Sequence, residues 1–386
     1  MSAILKKDYM FFSDIIGQQI IKNRLLHAAS EGRVAHAQLF LGKRGVGKLP
    51  MALAFARYLC CEHPLPDDAC GVCPSCVKFA ALAHPDLHFV FPIIKKDKNK
   101  TTVCDEFVGQ FREAVLANPY LTPAQWQNIV SGDKQMMIYT SESAEILRKL
   151  NLKVYEAPYK IIIIWCPEKM NEECANKLLK ILEEPLGQTV FLLVSDAPET
   201  LLPTIVSRTQ QLRFPPIDTD SMALAVSKYY PDCDASEQAR LVSQAGGSWS
   251  DLLVAVDRLE DTGRYFEQFV SMMRLAWTRD IGEIRAWVDT MQTFGRSGQI
   301  QFLSLAQQAL RDNFILRIKQ PNLVTQNSQE KDFSEKFAPF IHEGNVRALM
   351  DALALAEVHI GQNANGRILF FDLILQINYL IKANTK

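Results

Sequence analysis

The stretch His36-Ala-Gln-Leu-Phe-Leu-Gly-Lys-Arg-Gly-Val-Gly-Lys-Leu-Pro50 decides how the rest of the chain is read. It starts as a short apolar run, passes through a glycine-rich turn, and leads into Met51–Leu59 (MALAFARYL), which has helix-forming composition. A strand, a glycine turn and a helix start make an anion site, because amide N–H groups at the helix N-terminus point outward at phosphate oxygens. Gly42, Gly45, Gly47 and Lys48 fill the pattern G-x-x-x-x-G-K, with Gly45 as an added glycine inside it. The next residue should be Ser or Thr, whose hydroxyl holds magnesium, and here it is Leu49. The loop is therefore expected either to bind nucleotide without efficient turnover or to serve as a tight turn with no nucleotide at all.

Beyond the loop, the first ~215 residues alternate strand and helix signals. Leu87–Phe91 and Thr189–Val194 are strand candidates, and Gln211–Phe214 is another. Lys160–Trp165 (KIIIIW) is the strongest, because its β-branched run lacks alternation, as a strand buried on both faces should. Asn171–Glu184 comes next as an amphipathic helix that Pro185 stops. Such alternation implies a parallel sheet with helices on both faces. A phosphoryl-transfer site on this sheet needs an Asp for the metal and a carboxylate to orient water at the end of a central strand. The strand KIIIIW ends instead in Trp165-Cys166-Pro167-Glu168. Glu168 comes late and behind a proline, so it is a poor substitute base, and hydrolysis by this chain alone is not expected.

Cys61, Cys70, Cys73 and Cys76 stand in CEHPLPDDACGVCPSC, a C-x8-C-x2-C-x2-C spacing. Each C-x2-C lets two thiolates converge on one ion, and four thiolates close a tetrahedral structural zinc site. Cys60 is an alternative to Cys61 as a ligand, and isolated core thiols are the bland reading. A ferredoxin-type cluster fits less well, since Ala80 stands where its fourth cysteine would be.

The 386 residues carry a formal charge of −1, with 48% hydrophobic and 22% charged residues, so no global field draws the chain to nucleic acid or anionic membrane. The apolar runs are too short to span a bilayer, and MSAILKKDYMFF lacks a secretory apolar region, so a cytoplasmic chain is expected. The nine cysteines would then be mostly reduced and available to a metal. Between Pro92 and Thr140 the alternation breaks; the charge run 95–100 and the turn-rich NIVSGDK (128–134) suggest a surface insertion, either a solvated loop or a DNA-contacting one. Pro215-Pro216 marks a second break, and from Tyr265 onward amphipathic helices dominate, as in Ile300–Ile318 and Val346–His359, with a polar connection at Pro321–Lys331. The expected domains are 1–215, α/β with the cysteine module (61–76) and the insertion (92–140); 216–262, a small helical lid; and 263–386, an all-α region.

From about Phe12 to Leu253 the chain resembles one family, the bacterial clamp-loader subunits of the AAA+ class in DNA polymerase III. The resemblance is carried by HAQLFLGKRGVGK, by the four-cysteine insertion after the first helix of the module, by ANKLLKILEEP (175–185) and by TIVSRTQQLRF (204–214). Ser207-Arg208-Thr209 is similar to the family's Ser-Arg-Cys motif, which implies that Arg208 is an arginine finger acting in trans at a neighbouring subunit's ATP. Trp165 and Cys166 fall where the motor subunits have Asp-Glu. Gly247-Ser-Trp-Ser-Asp251 resembles a nucleotide-sensing turn in which Ser250 replaces the Arg. With Leu49, these departures imply a non-hydrolysing stator that assembles with motor (gamma/tau) and clamp-opening (delta) subunits. The machine so formed would load the sliding clamp onto primed DNA. The resemblance also implies a C-terminal collar joining subunits, for which Phe302–Ile318 and Leu369–Ile381 offer apolar faces. The rivals are an active ATPase subunit of gamma/tau type, which would need a substitute metal site, and an unrelated zinc-bearing nucleic-acid binder, which the neutral charge and the lack of a basic-aromatic stripe disfavour.

Overall fold

The computed structural model describes residues 11–382 apart from 96–101, 131–134, 184, 186, 232, 234, 319 and 321–327. The chain divides into two compact units, Met1–Ala255 and Val256–Lys386.

The first unit is built on a five-stranded, wholly parallel sheet, in the order β2-β3-β4-β1-β5. The strands are β1 (Ala37–Leu41), β2 (Leu87–Val90), β3 (Lys160–Trp165), β4 (Thr189–Ser195) and β5 (Gln210–Arg213). Helices α1 (Gln19–Ser30), α2 (Lys48–Leu59), α3 (Pro74–Ala80), α4 (Val108–Ala117), α5 (Pro123–Val130), α6 (Thr140–Asn151), α7 (Glu172–Glu183) and α8 (Pro203–Ser207) connect them. Every residue of β1, β3 and β4 is buried, as parallel strands covered on both faces must be. Leu41 pairs with Ser195 and Trp165 with Val194. This register brings the ends of the three central strands together at one edge, the place where an open α/β sheet forms its crevice. This is the α/β AAA+ architecture expected from the alternation and the resemblance.

The 92–140 segment corrects the surface-insertion expectation. Its charge run is outside the described residues beyond Lys95, as are residues 131–134 of NIVSGDK. The described part includes α4 and α5, whose Phe111 and Trp126 are fully buried. Phe111 stacks on Phe91 at 4.0 Å, and Trp126 meets both rings edge-on at 5.4 Å. Apolar residues spaced between polar ones gave little periodic signal, yet together they extend the sheet's core.

After β5, α9 (Thr219–Tyr229) and α10 (Ala235–Ala245) pack on each other within the first unit. Asp218 caps α9, its side chain accepting from the Ser221 amide. Next comes α11 (Trp249–Thr278), and the division between the units falls inside it.

The second unit is all-helical. It holds the rest of α11, then α12 (Ile281–Gln292), α13 (Gly295–Arg317), α14 (Ser328–Phe337), α15 (Val346–Gly361) and α16 (Gly366–Lys382). Its core corrects the expectation about the two apolar faces. Phe302, Leu303, Ala306 and Leu310 pack with Phe370, Leu373, Ile374, Ile377 and Ile381 inside the unit itself. An amphipathic pattern shows that a face is buried without saying against what. The exposed apolar side chains include Leu355, Val358 and Ile368 outside those two stretches, and Ile318 and Tyr379 within them. Among the described residues no helix is long and apolar enough to cross a membrane.

Candidate functional sites: a self-filled phosphate loop and a four-thiol centre

The loop between β1 and α2 has the backbone of an anion site, and its interior is already in use. Gly45 has φ +76, and a Cβ there would lie 2.3 Å from Ser248 Oγ and 2.8 Å from the Ser250 amide, so only glycine fits. The turn Gly247–Asp251 lies directly on the loop: the Trp249 amide donates to Gly45 O at 2.9 Å, and Arg44 pairs with Asp251 at 2.6 Å. Ser250, the residue in place of the sensing Arg, donates its hydroxyl to Tyr120 O at 2.8 Å.

Lys48 is 4% exposed. Its ammonium donates to Gly42 O at 2.6 Å and Lys43 O at 2.5 Å, and sits 2.7 Å from Asp196 Oδ1. The lysine that would meet a phosphate is thus engaged by the loop's own carbonyls and by a carboxylate just past β4. Tyr120, from the 92–140 segment, is buried beside α2, and its hydroxyl accepts from the Ile16 amide at 3.2 Å. Burial pushes its phenol well above the ordinary tyrosine value. The space left among Gly47, Lys48, Leu49, Tyr120, Trp165 and Asp196 is 20 Å³, enough for about one water molecule.

The strand-end reading holds in three dimensions. Trp165, at the end of β3, lines this space where a metal-binding acid would be needed. Cys166 is buried in a left-handed conformation, and burial holds its thiol well above the usual range. Glu168 turns onto the end of β4, accepting from the Asp196 amide at 3.4 Å. Burial raises its carboxyl above the ordinary carboxylate range.

Asp196 escaped the sequence reading. A carboxylate one residue past a buried strand was its only signal, and its partner lies far away in sequence.

The cysteines form the second site. Sγ atoms of Cys61, Cys70, Cys73 and Cys76 all lie within 4.8 Å of one another. A zinc ion bound tetrahedrally at about 2.3 Å would hold its sulfurs about 3.8 Å apart, and Cys70 and Cys76 are 3.9 Å apart. Backbone amides converge on the sulfurs: Cys70 N–H on Cys61 at 3.3 Å, Cys73 N–H on Cys70 at 3.4 Å, and Cys76 N–H on Cys73 at 3.4 Å. Such donors favour thiolates. The set can hold a metal ion, and with four thiolates filling a tetrahedron it fits a closed site. Cys60 is excluded from it, since its thiol points to Tyr159 O at 3.8 Å and burial raises it far above the usual thiol value.

Cys73 and Pro74 open α3, which brings Cys76 back onto Cys73. Burial pushes Cys61 up to about 12 and raises Cys76, while the amides of Val72 and Cys73 pull Cys70 down to about 6.

Arg208 lies apart from both sites, at the C-terminal end of α8. It is partly exposed, and its Nε pairs with Glu183 Oε1 at the end of α7 at 2.5 Å, while Nη1 donates to Thr204 O at 3.1 Å.

A five-stranded parallel sheet with a phosphate loop after β1 and a helical pair after β5 has the arrangement of an AAA+ module. The family described as DNA polymerase III, delta subunit matches residues 17–218, and the chain belongs to that family. It is 29% identical over 214 residues to DNA polymerase III subunit delta' of Pseudomonas aeruginosa, covering 55% of this chain and 53% of that protein. It is 28% identical over 201 residues to subunit delta' of Bacillus subtilis, covering 52% and 48%. DNA polymerase III subunit tau of Escherichia coli is 25% identical over 268 residues, covering 68% and 35%. The chain spans about half the length of the delta' relatives it matches.

Proposed function

We propose that this chain acts as the delta-prime subunit of a DNA polymerase III clamp loader, as a stator that does not turn over ATP itself. The observation that carries the reading is the internal satisfaction of Lys48 by Asp196 and two loop carbonyls, with 20 Å³ left beside it. A triphosphate would have to displace a buried ion pair and then proceed without a magnesium hydroxyl ligand at Leu49 or a metal-binding acid at Trp165. The loop thus serves folding: Gly42, Gly45, Gly47 and Lys48 hold β1, α2 and the 247–251 turn together.

In this role Arg208 is the functional cation. It would leave Glu183 and reach the γ-phosphate of ATP on an adjacent gamma/tau motor subunit, stabilising charge during transfer. The opposite side would hold the clamp-opening delta subunit, and the assembly would place the sliding clamp on primed DNA in the cytoplasm. The second unit would supply the collar contact. Cys61, Cys70, Cys73 and Cys76 would hold one structural zinc ion, which fixes the 61–80 module and takes no part in phosphoryl transfer.

The test has two arms. ATP turnover by the purified chain with magnesium should equal the blank. In the reconstituted loader, Arg208→Ala should leave assembly intact and lower DNA- and clamp-stimulated hydrolysis by the motor subunits by about 10³-fold or more at the site it serves. Turnover by the chain alone that vanishes in Lys48→Ala would overturn the stator reading in favour of a gamma/tau-type ATPase.

A further inference from the structure

Arg57 lies on α2, nine residues after Lys48, and is 2% exposed. A buried guanidinium ordinarily meets a carboxylate, because an unpaired charge in the interior costs several kcal/mol. Here Nε and Nη1 are buried with no hydrogen-bond partner among the described residues. One face of the group carries the Phe11 ring, with the guanidinium carbon 3.9 Å from the ring centroid. Phe11 also covers Gly71, where an added Cβ would lie 2.9 Å from the ring and 4.0 Å from Arg57 Nη2. The guanidinium therefore stands against the first cysteine knuckle, beside Gly71, and the Phe11 ring that it lies on also packs against the four-cysteine cluster. Cys76 is fully buried.

A zinc ion with four thiolates is a dianion. The amides on Cys61, Cys70 and Cys73 sulfurs offer partial charges to it; none of them offers a full one. Among the described residues the buried Arg57 cation pairs with no carboxylate, and it stands against the knuckle that would carry this negative charge. We infer that Arg57 is the charge partner of the metal-thiolate centre, a positioning residue that sets how tightly the four cysteines keep their ion. It also ties that centre to the helix that begins at the phosphate loop. The inference rests on the zinc reading of the cysteines above.

The experiment uses the full chain. Zinc content of the wild type is measured first, since a chain that neither carries nor takes up one equivalent of zinc sinks the metal reading itself. Zinc affinity is then measured by chelator competition for wild type, Arg57→Met and Arg57→Lys. Loss of an outer partner of a metal ligand costs about 10- to 100-fold in affinity, and that loss is expected for Arg57→Met, with Arg57→Lys recovering at least part of it. Alkylation of the zinc-bound thiolates by iodoacetamide should be faster in Arg57→Met, because the centre loses its cation. In the reduced, metal-free chain Arg57→Met should unfold at or above the wild-type temperature, since there the guanidinium has lost the metal-thiolate dianion. Unchanged zinc affinity and alkylation in Arg57→Met would overturn the inference. Equal destabilisation of the metal-free and zinc-bound forms would assign Arg57 to packing against Phe11 instead. Should Arg57→Met fail to fold, the lysine variant decides: a charge partner keeps alkylation near the wild-type rate, and a packing role keyed to the planar group does not.

Discussion

Lys48 Nζ lies 2.7 Å from Asp196 Oδ1, joining the first helical residue after the loop to the residue just past β4. The lysine is buried and the carboxylate about a quarter exposed. A lysine in this position ordinarily waits for a phosphate. Here it closes the crevice that the sheet's register creates, and the closure is part of the folded core.

Removing Asp196 should therefore be costly even though no substrate is involved. Asp196→Ala leaves a buried ammonium with carbonyls alone and should lower stability by roughly 2–4 kcal/mol. Lys48→Met should cost less, because Asp196 can still reach water. Urea unfolding of the two single variants and the double variant measures this, and the double should cost less than the sum. Strict additivity would show that the pair is not coupled.

Gly45→Ala places a Cβ 2.3 Å from Ser248 Oγ at a positive φ. It should destabilise the first unit by roughly 2 kcal/mol or more. Ser248→Ala in the same background relieves the side-chain clash but leaves the strain and the close Ser250 amide, so thermal unfolding should show partial rescue.

The Arg208–Glu183 pair is half-exposed, and such pairs contribute about 0–1 kcal/mol. Glu183→Gln should leave the melting temperature within a degree or two, while freeing the guanidinium. If Arg208 acts on a neighbour's ATP, this variant should keep or raise motor-subunit hydrolysis in the assembled loader. A loss as large as that of Arg208→Ala would mean that Glu183 orients the arginine rather than restraining it.

His88, on β2, has its imidazole pushed down from 6.5 to about 4 by burial and by the Lys149 and Lys160 charges. Its neutral form is the folded one, so the unfolded chain takes up a proton first as pH falls. Stability is then lost between pH 6.5 and 4, by about 2 kcal/mol on going from pH 7.5 to 5. His88→Gln should flatten that part of the pH dependence in chemical denaturation. An unchanged slope would place the titration elsewhere.

Zinc binding requires deprotonating thiols that burial holds high, Cys61 at about 12 and Cys76 above its usual value. Metal retention should fall steeply as pH drops, because more than one proton is released per ion bound. Chelation at pH 7 should lower the melting temperature of the wild type. Cys61→Ser should do the same without chelator, whereas Cys60→Ser should retain the metal, and zinc assays on the two variants would separate them.

Much of this was legible in the sequence. The strand KIIIIW is β3 at the predicted residues, and NEECANKLLKILEE became α7, beginning one residue later at Glu172, with residue 184 outside the described residues. Both are strong because the pattern reflects which faces are buried, both faces of the strand and one face of the helix. The four-cysteine spacing was legible for a similar reason, since its knuckles are local. The buried character of the 92–140 segment was not. Phe111 and Trp126 sit on different helices and meet each other and Phe91 only in the folded chain.

The residues alone established a phosphate loop after β1, the loss of its hydroxyl, a parallel sheet around it and four thiols able to converge. These are local facts, fixed by a turn, a run or a short spacing. The filling of the loop was settled by folding and by nothing earlier. Asp196, Tyr120 and the 247–251 turn come from three distant segments, and parallel register alone brings Asp196 beside Lys48. The same holds for Arg57, whose buried charge acquires meaning from the cysteine knuckle that folding places against it. Long-range electrostatic partners leave no periodic trace in a chain, because their distance in sequence is set by the fold and not by a helix or strand repeat.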